Sequence, residues 1–254
     1  MPLYDQAKNI LLIGLILIIA PVSVTILKEE YSGIFNTQNK IGIVCINGPI
    51  YESTPWIKHL NTFFKDPMIK GIIVHIECKE GNPGSAQMIY QEIEYLKKEY
   101  PKPIITLVEN ICTAEGYLIA AATDTIIAPA SALVGGIYPT LTHLIPACSL
   151  TMINNQNDST QRSDTGKKDT LTQKIADDIY AQLISTIAHR RKLALKDHDL
   201  WGTGIVFTGN QAVKIHLIDH IGCVADAHNC IKEKALIDGQ AQWIYSSDKK
   251  YIFF

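Results

Sequence analysis

Short, continuous apolar runs that alternate with helical stripes constrain the fold of this chain more than any other feature. The apolar runs suit strands buried on both faces, and they are Ile41–Ile46, Gly71–Ile76, Ile104–Val108 and Ile126–Ala128. Apolar residues at helical spacing fill Trp56–Phe64, Ser85–Tyr100, Gly116–Ala122 and Leu171–Leu195. Strands separated by helices imply right-handed βαβ crossovers, so the sequence predicts an α/β fold with a mainly parallel sheet.

Composition narrows the classes of function. With 254 residues, 47% of them hydrophobic, the chain can bury a substantial core, and a formal charge of −2 gives no reason to propose nucleic acid as a partner. No histidine stands in an HExxH spacing and the six cysteines match no metal site, so neither a metal nor a cofactor is predicted. The cysteines permit disulfides without defining their pairing. We expect Cys45 to be a small buried hydrophobe and His75 a satisfied core residue.

The N-terminal region predicts a membrane anchor. Residues Ile10–Leu27 are uncharged and lie between Lys8 and Lys28. As a helix this segment would span about 27 Å, close to the hydrocarbon thickness of a bilayer. A cleaved signal peptide is the alternative, although no small-x-small cleavage pattern follows. We therefore expect an anchor over 1–30 that contacts membrane lipid through 10–27, a linker over 31–40, and the remaining chain on the extracytoplasmic side.

A strand that turns sharply into a helix lies at the centre of the chain. The strand is Ile104–Val108, the turn is Glu109–Glu115, and the small-residue helix begins at Gly116. Enzymes often place a nucleophile at such a turn, because the free N–H groups of the first helical turn can stabilise an oxyanion. A plain βα unit without catalytic function is the other interpretation of this stretch.

The residues around this turn resemble a known family. Ile111–Ala128 reads ICTAEGYLIAAATDTIIA and aligns without a gap to V-A-A-S-G-G-Y-Y-I-A-A-A-A-D-x-I-V-A. That motif belongs to the signal peptide peptidase A (SppA) family, membrane-bound serine proteases with a Ser–Lys dyad. Phe207–Gly222 also resembles the family's late V-Y-T-G-x-Q-A motif. The resemblance implies the spiral ββα fold of the Clp protease and crotonase superfamily over 41–235, with a C-terminal tail over 236–254.

The resemblance also implies where the site residues stand. The family's nucleophilic serine falls on Ala114, and a second serine near the dyad falls on Gly136. The oxyanion-hole region implied by the resemblance comprises Gly81, Glu80 and Gly116. The motif D-S-P-G-G-S aligns its second glycine with Gly81 and its first with Glu80, and Gly116 lies in the helix start. A methyl group cannot attack a carbonyl, and a carboxylate at Glu80 would repel a developing oxyanion. We therefore expect a site that has lost its nucleophile and a competent oxyanion hole.

The family's general base has a candidate in a polar loop. Gly166-Lys167-Lys168-Asp169 resembles the family's R-x-G-x-Y-K-D segment, with Lys168 as the base position and Lys167 as the alternative. A lysine acts as a base only where burial or nearby positive charge lowers its pKa. The pair can equally be a solvated pair of charges on the surface, and both interpretations stay open.

Three functions are consistent with these residues. The first is a proteolytically silent or weak SppA-like homologue that holds apolar or signal peptides. The second is an active peptidase that uses Cys112 or Thr113 as a substitute nucleophile, or groups from partner chains; Cys112 has the greater intrinsic nucleophilicity. The third is a scaffold subunit. The resemblance implies a homo-oligomer, and an engineered Ser→Ala change would explain Ala114 but neither Glu80 nor Gly136.

Overall fold

Eight strands and six helices make up the part of the chain that the computed structural model describes, which is residues 39–138 and 165–246, with side chains from residue 173 in the second range. The strands are β1 Lys40–Asn47, β2 Ile69–Cys78, β3 Ile104–Thr113, β4 Thr125–Ala128, β5 Leu133–Gly135, β6 Val206–Thr208, β7 His220–Ile221 and β8 Gln242–Tyr245. The helices are α1 Thr54–Lys65, α2 Pro83–Glu99, α3 Glu115–Ala121, α4 Thr165–Arg191, α5 Gly209–Ala212 and α6 Val224–Lys234, and a 3-10 helix spans Leu195–Leu200.

The strands form one sheet that is mostly parallel. Its order is β6-β5-β3-β2-β1-β8, with β4 paired to β3 and β7 paired to β4. The pairing of β5 with β6 is antiparallel, whereas β1, β2, β3 and β4 pair in parallel. The predicted α/β fold with a mainly parallel sheet is therefore confirmed, with an antiparallel edge that the sequence analysis did not foresee.

Strand β3 differs from its predicted length more than the other predicted strands do. Its first half, Ile105–Leu107, pairs with β4, and its second half, Ile111–Thr113, pairs with β5. The predicted strand ended at Val108, but the chain stays extended to Thr113 because β5 satisfies the backbone hydrogen bonds of the second half. The predicted seven-residue turn therefore shrinks to a single residue, Ala114.

Two apolar layers enclose the sheet. Helices α1, α2, α3 and α4 contribute to one layer, and α6 packs against the opposite face. Side chains of β1 alternate between the layers, as the pleat of a strand requires: Val44 and Ile46 join the first, and Ile43 and Cys45 the second. The position of Cys45, with 4% of its surface exposed, confirms that it is a buried hydrophobe.

A buried histidine in the sheet contacts an acid. His75 is buried, and its Nε2 lies 3.3 Å from a carboxylate oxygen of Glu109, so the predicted position in the core is confirmed. Burial lowers the pKa of His75, while the charge of Glu109 acts in the opposite direction. The five cysteines in the described ranges are free thiols.

The basic end of α4 makes contacts within the chain. The Arg190 guanidinium donates to the carbonyl oxygens of Ala121 and Ala122, at 3.3 and 3.0 Å. Arg191 donates two hydrogen bonds of 3.0 Å to the carboxylate of Asp219. These contacts link the C-termini of α3 and α4 to the segment before β7. Helix α4 ends at Arg191, within the basic run 189–192 that suits a helix C-terminus.

The structure describes residues of the predicted C-terminal tail but none of the predicted membrane anchor. The anchor predicted over residues 10–27 lies outside the described residues, and within 39–138 and 165–246 no helix is both long and apolar enough to cross a bilayer. At the other end, residues treated as a tail include β8, which pairs in parallel with β1 from Lys40 to Ile43.

A tyrosine hydroxyl provides a test of how α3 is held. Tyr117 is fully buried, and its hydroxyl donates a 2.7 Å hydrogen bond to the carbonyl oxygen of Leu217. We expect Tyr117→Phe to lower the free energy of unfolding by about 1–3 kcal/mol, because a buried carbonyl loses a donor. Urea denaturation measures the change. The exposed Tyr95→Phe serves as the control and should shift stability by less than about 0.5 kcal/mol; equal effects would contradict this assignment.

Candidate active site

A strained turn at Ala114 joins β3 to α3. Its backbone angles are φ 49° and ψ −116°, which places a residue with a Cβ in a region that ordinarily suits glycine. The Ala114 N–H donates to the Gly135 carbonyl at 2.9 Å, and its own carbonyl accepts from the Leu118 N–H at 3.2 Å. A sharp, strained strand-to-helix turn of this kind is the nucleophile elbow that hydrolases use to present a serine.

A close backbone approach keeps the turn tight. A Cβ added at Gly116 would lie 2.8 Å from the Cβ of Cys78, so only glycine lets the start of α3 lie against the end of β2. Ala120 and Ala121 are buried in the same helix. Small residues therefore let α3 pack closely against the sheet.

The loop after β2 presents the backbone of Gly81. The Ile50 N–H donates to the Glu80 carbonyl at 3.0 Å, and the Asn82 N–H donates to the Ile50 carbonyl at 2.8 Å. In this parallel bridge the N–H of Gly81 points away from Ile50. A Cβ at Gly81 would lie 2.7 Å from the Ile50 carbonyl oxygen, so this position requires glycine.

The carboxylate of Glu80 lies at the rim of this loop. Its Oε1 accepts a 3.4 Å hydrogen bond from the hydroxyl of Tyr51, which is 42% exposed. The sequence analysis expected this carboxylate to repel an oxyanion, and that expectation stays a prediction. The contact with Tyr51 holds the charge beside an exposed side chain, where water screens it.

Gly136 lies directly beside the turn. Its φ of +56° is left-handed, and its N–H donates to the Ile205 carbonyl at 2.8 Å. A Cβ added here would lie 3.1 Å from the Cβ of Thr113 and 3.2 Å from Cγ2 of Val206. The fold thus brings Gly136, where the family motif has a serine, next to the residue that precedes Ala114.

Of the two candidate substitute nucleophiles, Thr113 has its hydroxyl in a hydrogen bond and Cys112 is fully buried. The Thr113 hydroxyl donates a 2.7 Å hydrogen bond to the Lys79 carbonyl, and 6% of this residue is exposed. Cys112 is fully buried opposite Cys78 in the β2–β3 register. Burial raises the pKa of the Cys112 thiol well above its ordinary value, whereas a nucleophilic cysteine needs a thiolate.

The lysine candidates belong to the first turn of α4. Lys167 and Lys168 follow Thr165, where the helix begins, so the segment that the sequence analysis read as a polar loop is helical from that residue. Their side chains lie outside the described part of the chain, and their role as a base stays a prediction. Among the described residues no group of three or more His, Cys, Asp or Glu side chains is arranged to hold a metal ion.

One buried acid at this site was missed by the sequence analysis. Glu115 follows Ala114, has 3% of its surface exposed, and occupies the first position of α3. The signal was present in the sequence, because the family motif has a glycine at this position. An acid in the first turn of a helix is common on protein surfaces, so sequence alone does not indicate that this one is buried.

Sequence comparisons give one family model and several related proteins. A model of peptidase family S49 matches residues 152–238. A candidate protease of Methanocaldococcus jannaschii is 23% identical over 218 residues, which cover 82% of this chain and 66% of that protein. Protease 4 of Haemophilus influenzae is 24% identical, over 77% of this chain and 35% of its own length. A Na(+)/H(+) antiporter NhaA of Brucella melitensis is 28% identical over 64% of this chain, but over only 24% of its own length. The chain therefore spans only part of the length of each of these relatives.

Solved structures show the same fold. A mutant of the membrane-bound stomatin-specific protease 1510-N superposes with a TM-score of 0.56 at 15% identity, over 82% of this chain and 97% of that one. ClpP1 from Listeria monocytogenes superposes with a TM-score of 0.51 at 12% identity, over 73% and 93%. The chain therefore has the Clp protease-like fold of these two proteins. The family model and the related proteases together make the chain similar to peptidase family S49, the signal peptide peptidase A family.

The strain at Ala114 predicts an unusual response to glycine. We expect Ala114→Gly to raise the free energy of unfolding by about 1 kcal/mol, because relief of strain outweighs the entropic cost of glycine. Ala120→Gly, at a regular position of α3, is the control and should lower it by about 1 kcal/mol. Urea denaturation of both variants measures the two signs. The same loss of stability at both positions would show that Ala114 is unstrained.

Proposed function

We propose that this chain is an SppA-like homologue that binds apolar peptides beside Ala114 without cutting them through a covalent serine route. The observation that supports this most is the turn itself. It keeps the strained backbone of a nucleophile elbow and carries a methyl group in place of a nucleophile. Since a strained residue costs about 1–3 kcal/mol, its retention fits a site that is still used.

An exposed apolar edge beside the turn supports peptide binding. We define this apolar edge as four large side chains that flank Gly135 and Gly136 and are each 42–52% exposed: Leu133, Tyr138, Ile205 and Val206. Among the described strands, β6 has a neighbour, β5, on one side only. An edge strand with exposed apolar side chains suits an extended peptide, which adds backbone hydrogen bonds and apolar contacts together.

The rival proposal is an active peptidase with a different nucleophile. The geometry disfavours it, because the Cys112 thiol is buried with a raised pKa and the Thr113 hydroxyl is bound to the Lys79 carbonyl. A scaffold that organises other proteins is a further candidate. A scaffold would have no need of an apolar edge beside a strained turn. A measurement of peptide binding therefore distinguishes the scaffold from the proposed peptide-binding homologue.

A restored nucleophile tests the proposal. With the full-length chain in detergent and a fluorogenic signal-peptide substrate, we expect background cleavage from the parent and at least about tenfold more from Ala114→Ser, because the elbow already presents position 114. Lys168→Ala added to that variant should remove the gain if Lys168 is the base. In the parent, anisotropy of the labelled peptide should report binding.

Three outcomes would decide between the candidates. Cleavage by the parent that falls in Cys112→Ala would overturn the proposal and name the nucleophile. Cleavage that falls in Thr113→Val would do the same for the other candidate. Absence of peptide binding by the parent, with no cleavage by any variant, would leave the scaffold as the function.

We further propose that the full chain is a membrane-anchored homo-oligomer with its folded domain on the extracytoplasmic side, anchored through residues 10–27. The span is uncharged over 18 residues.

We expect the protein to stay with membranes after alkaline carbonate extraction. Leu17→Arg should lower the fraction that stays with membranes, since an arginine at mid-span costs about 2.5–3.5 kcal/mol. Ser32→Arg, outside the span, is the control. A mature chain that lacks residues 1–30 by intact mass would instead indicate a cleaved signal peptide.

A further inference from the structure

A cavity of about 270 Å³ lies between α2, α3 and α4, on the face of the sheet opposite to α6. Its wall is mainly apolar, with Leu118 of α3 and Leu183 of α4 among the lining residues. Polar side chains interrupt it, including the amides of Gln87 and Gln182 and the hydroxyl of Thr186. Binding pockets for whole small molecules usually begin near roughly 300 Å³, so this cavity has the size for one side chain.

Glu115 gives the cavity its one carboxyl group. This residue directly follows Ala114, lines the cavity, and has only 3% of its surface exposed. Among the described residues that line the cavity, Glu115 is the one acid. The cavity therefore combines aliphatic walls with a single carboxyl group next to the predicted nucleophile position.

This combination matches one kind of side chain. The four methylenes of lysine pack against aliphatic walls while the ammonium group seeks an anion. In a site with little water, the attraction between ammonium and carboxylate is much stronger than at the surface. A lysine would add this interaction to the contacts that Glu115 makes within the chain, and the amide and hydroxyl oxygens supply further acceptors.

We propose that this cavity is a subsite that receives a lysine side chain of a bound peptide, with Glu115 as its specificity-determining residue. The proposal rests on the peptide binding proposed above and adds the chemical class of peptide: an apolar segment that carries a lysine. Glu115 replaces a glycine of the family motif, so this preference belongs to the present chain and is not inherited from the motif.

Matched peptides test the subsite. A fluorescein-labelled apolar decapeptide is made with lysine at each position in turn, and again with norleucine, which keeps the aliphatic stem and lacks the charge. Anisotropy with the full-length protein in detergent gives each Kd. We expect lysine at one position to bind about tenfold more tightly than norleucine there. Glu115→Gln should abolish this preference and leave the norleucine peptide within twofold of the parent.

Two further variants keep the test decisive if Glu115→Gln alters folding. Gln182→Lys places an ammonium group on the cavity wall from an exposed position of α4, and should also abolish the lysine preference. Glu99→Gln removes an exposed acid at the end of α2, away from the cavity, and should leave the preference intact.

The outcomes separate this proposal from the proposed function. Equal binding of the lysine and norleucine peptides to the parent would overturn the subsite and leave peptide binding in place. A lysine preference that survives both Glu115→Gln and Gln182→Lys would also overturn it. No binding of any peptide would overturn the proposed function and the subsite together.

Discussion

The single-residue turn at Ala114 is the constraint on which the rest of the site depends. The second half of β3 pairs with β5 as far as Thr113, so the chain cannot bend earlier without losing ladder hydrogen bonds. Helix α3 must begin at once, because Gly116 lies against Cys78 at a distance that leaves no room for a side chain. One residue therefore absorbs the whole change of direction. Its strained backbone persists because the sheet and the helix on either side hold it there.

The turn at position 114 has the backbone geometry of a nucleophile elbow, and its residue has no nucleophilic side chain. The backbone still presents position 114 and still leaves Gly81 with an N–H that points away from its bridge partner. The reactive atoms are missing, since a methyl group stands at position 114 and Gly136 has no side chain where the family motif has a serine. The proposed binding of peptides without cutting would account for both observations.

The centre of the sheet and the helices over it could be predicted from the sequence because their apolar patterns specify them locally. Strands β5 to β8 could not, because each has four residues or fewer and is extended only because a longer strand or an edge pairs with it. The length of β3 was missed for the same reason. Glu115 was missed because its burial comes from α2 and α4, which are distant in sequence. The prediction that Ala114 stands at the nucleophile position used only the local motif.

The preserved turn keeps this protein close to a protease in mutational terms. A single base change converts an alanine codon into a serine codon, and the backbone at position 114 would receive the new hydroxyl without rebuilding. A relative whose turn had relaxed would have to recover the strained backbone as well as the side chain. The strained backbone, which is the costly part of such a turn, is therefore already in place at position 114.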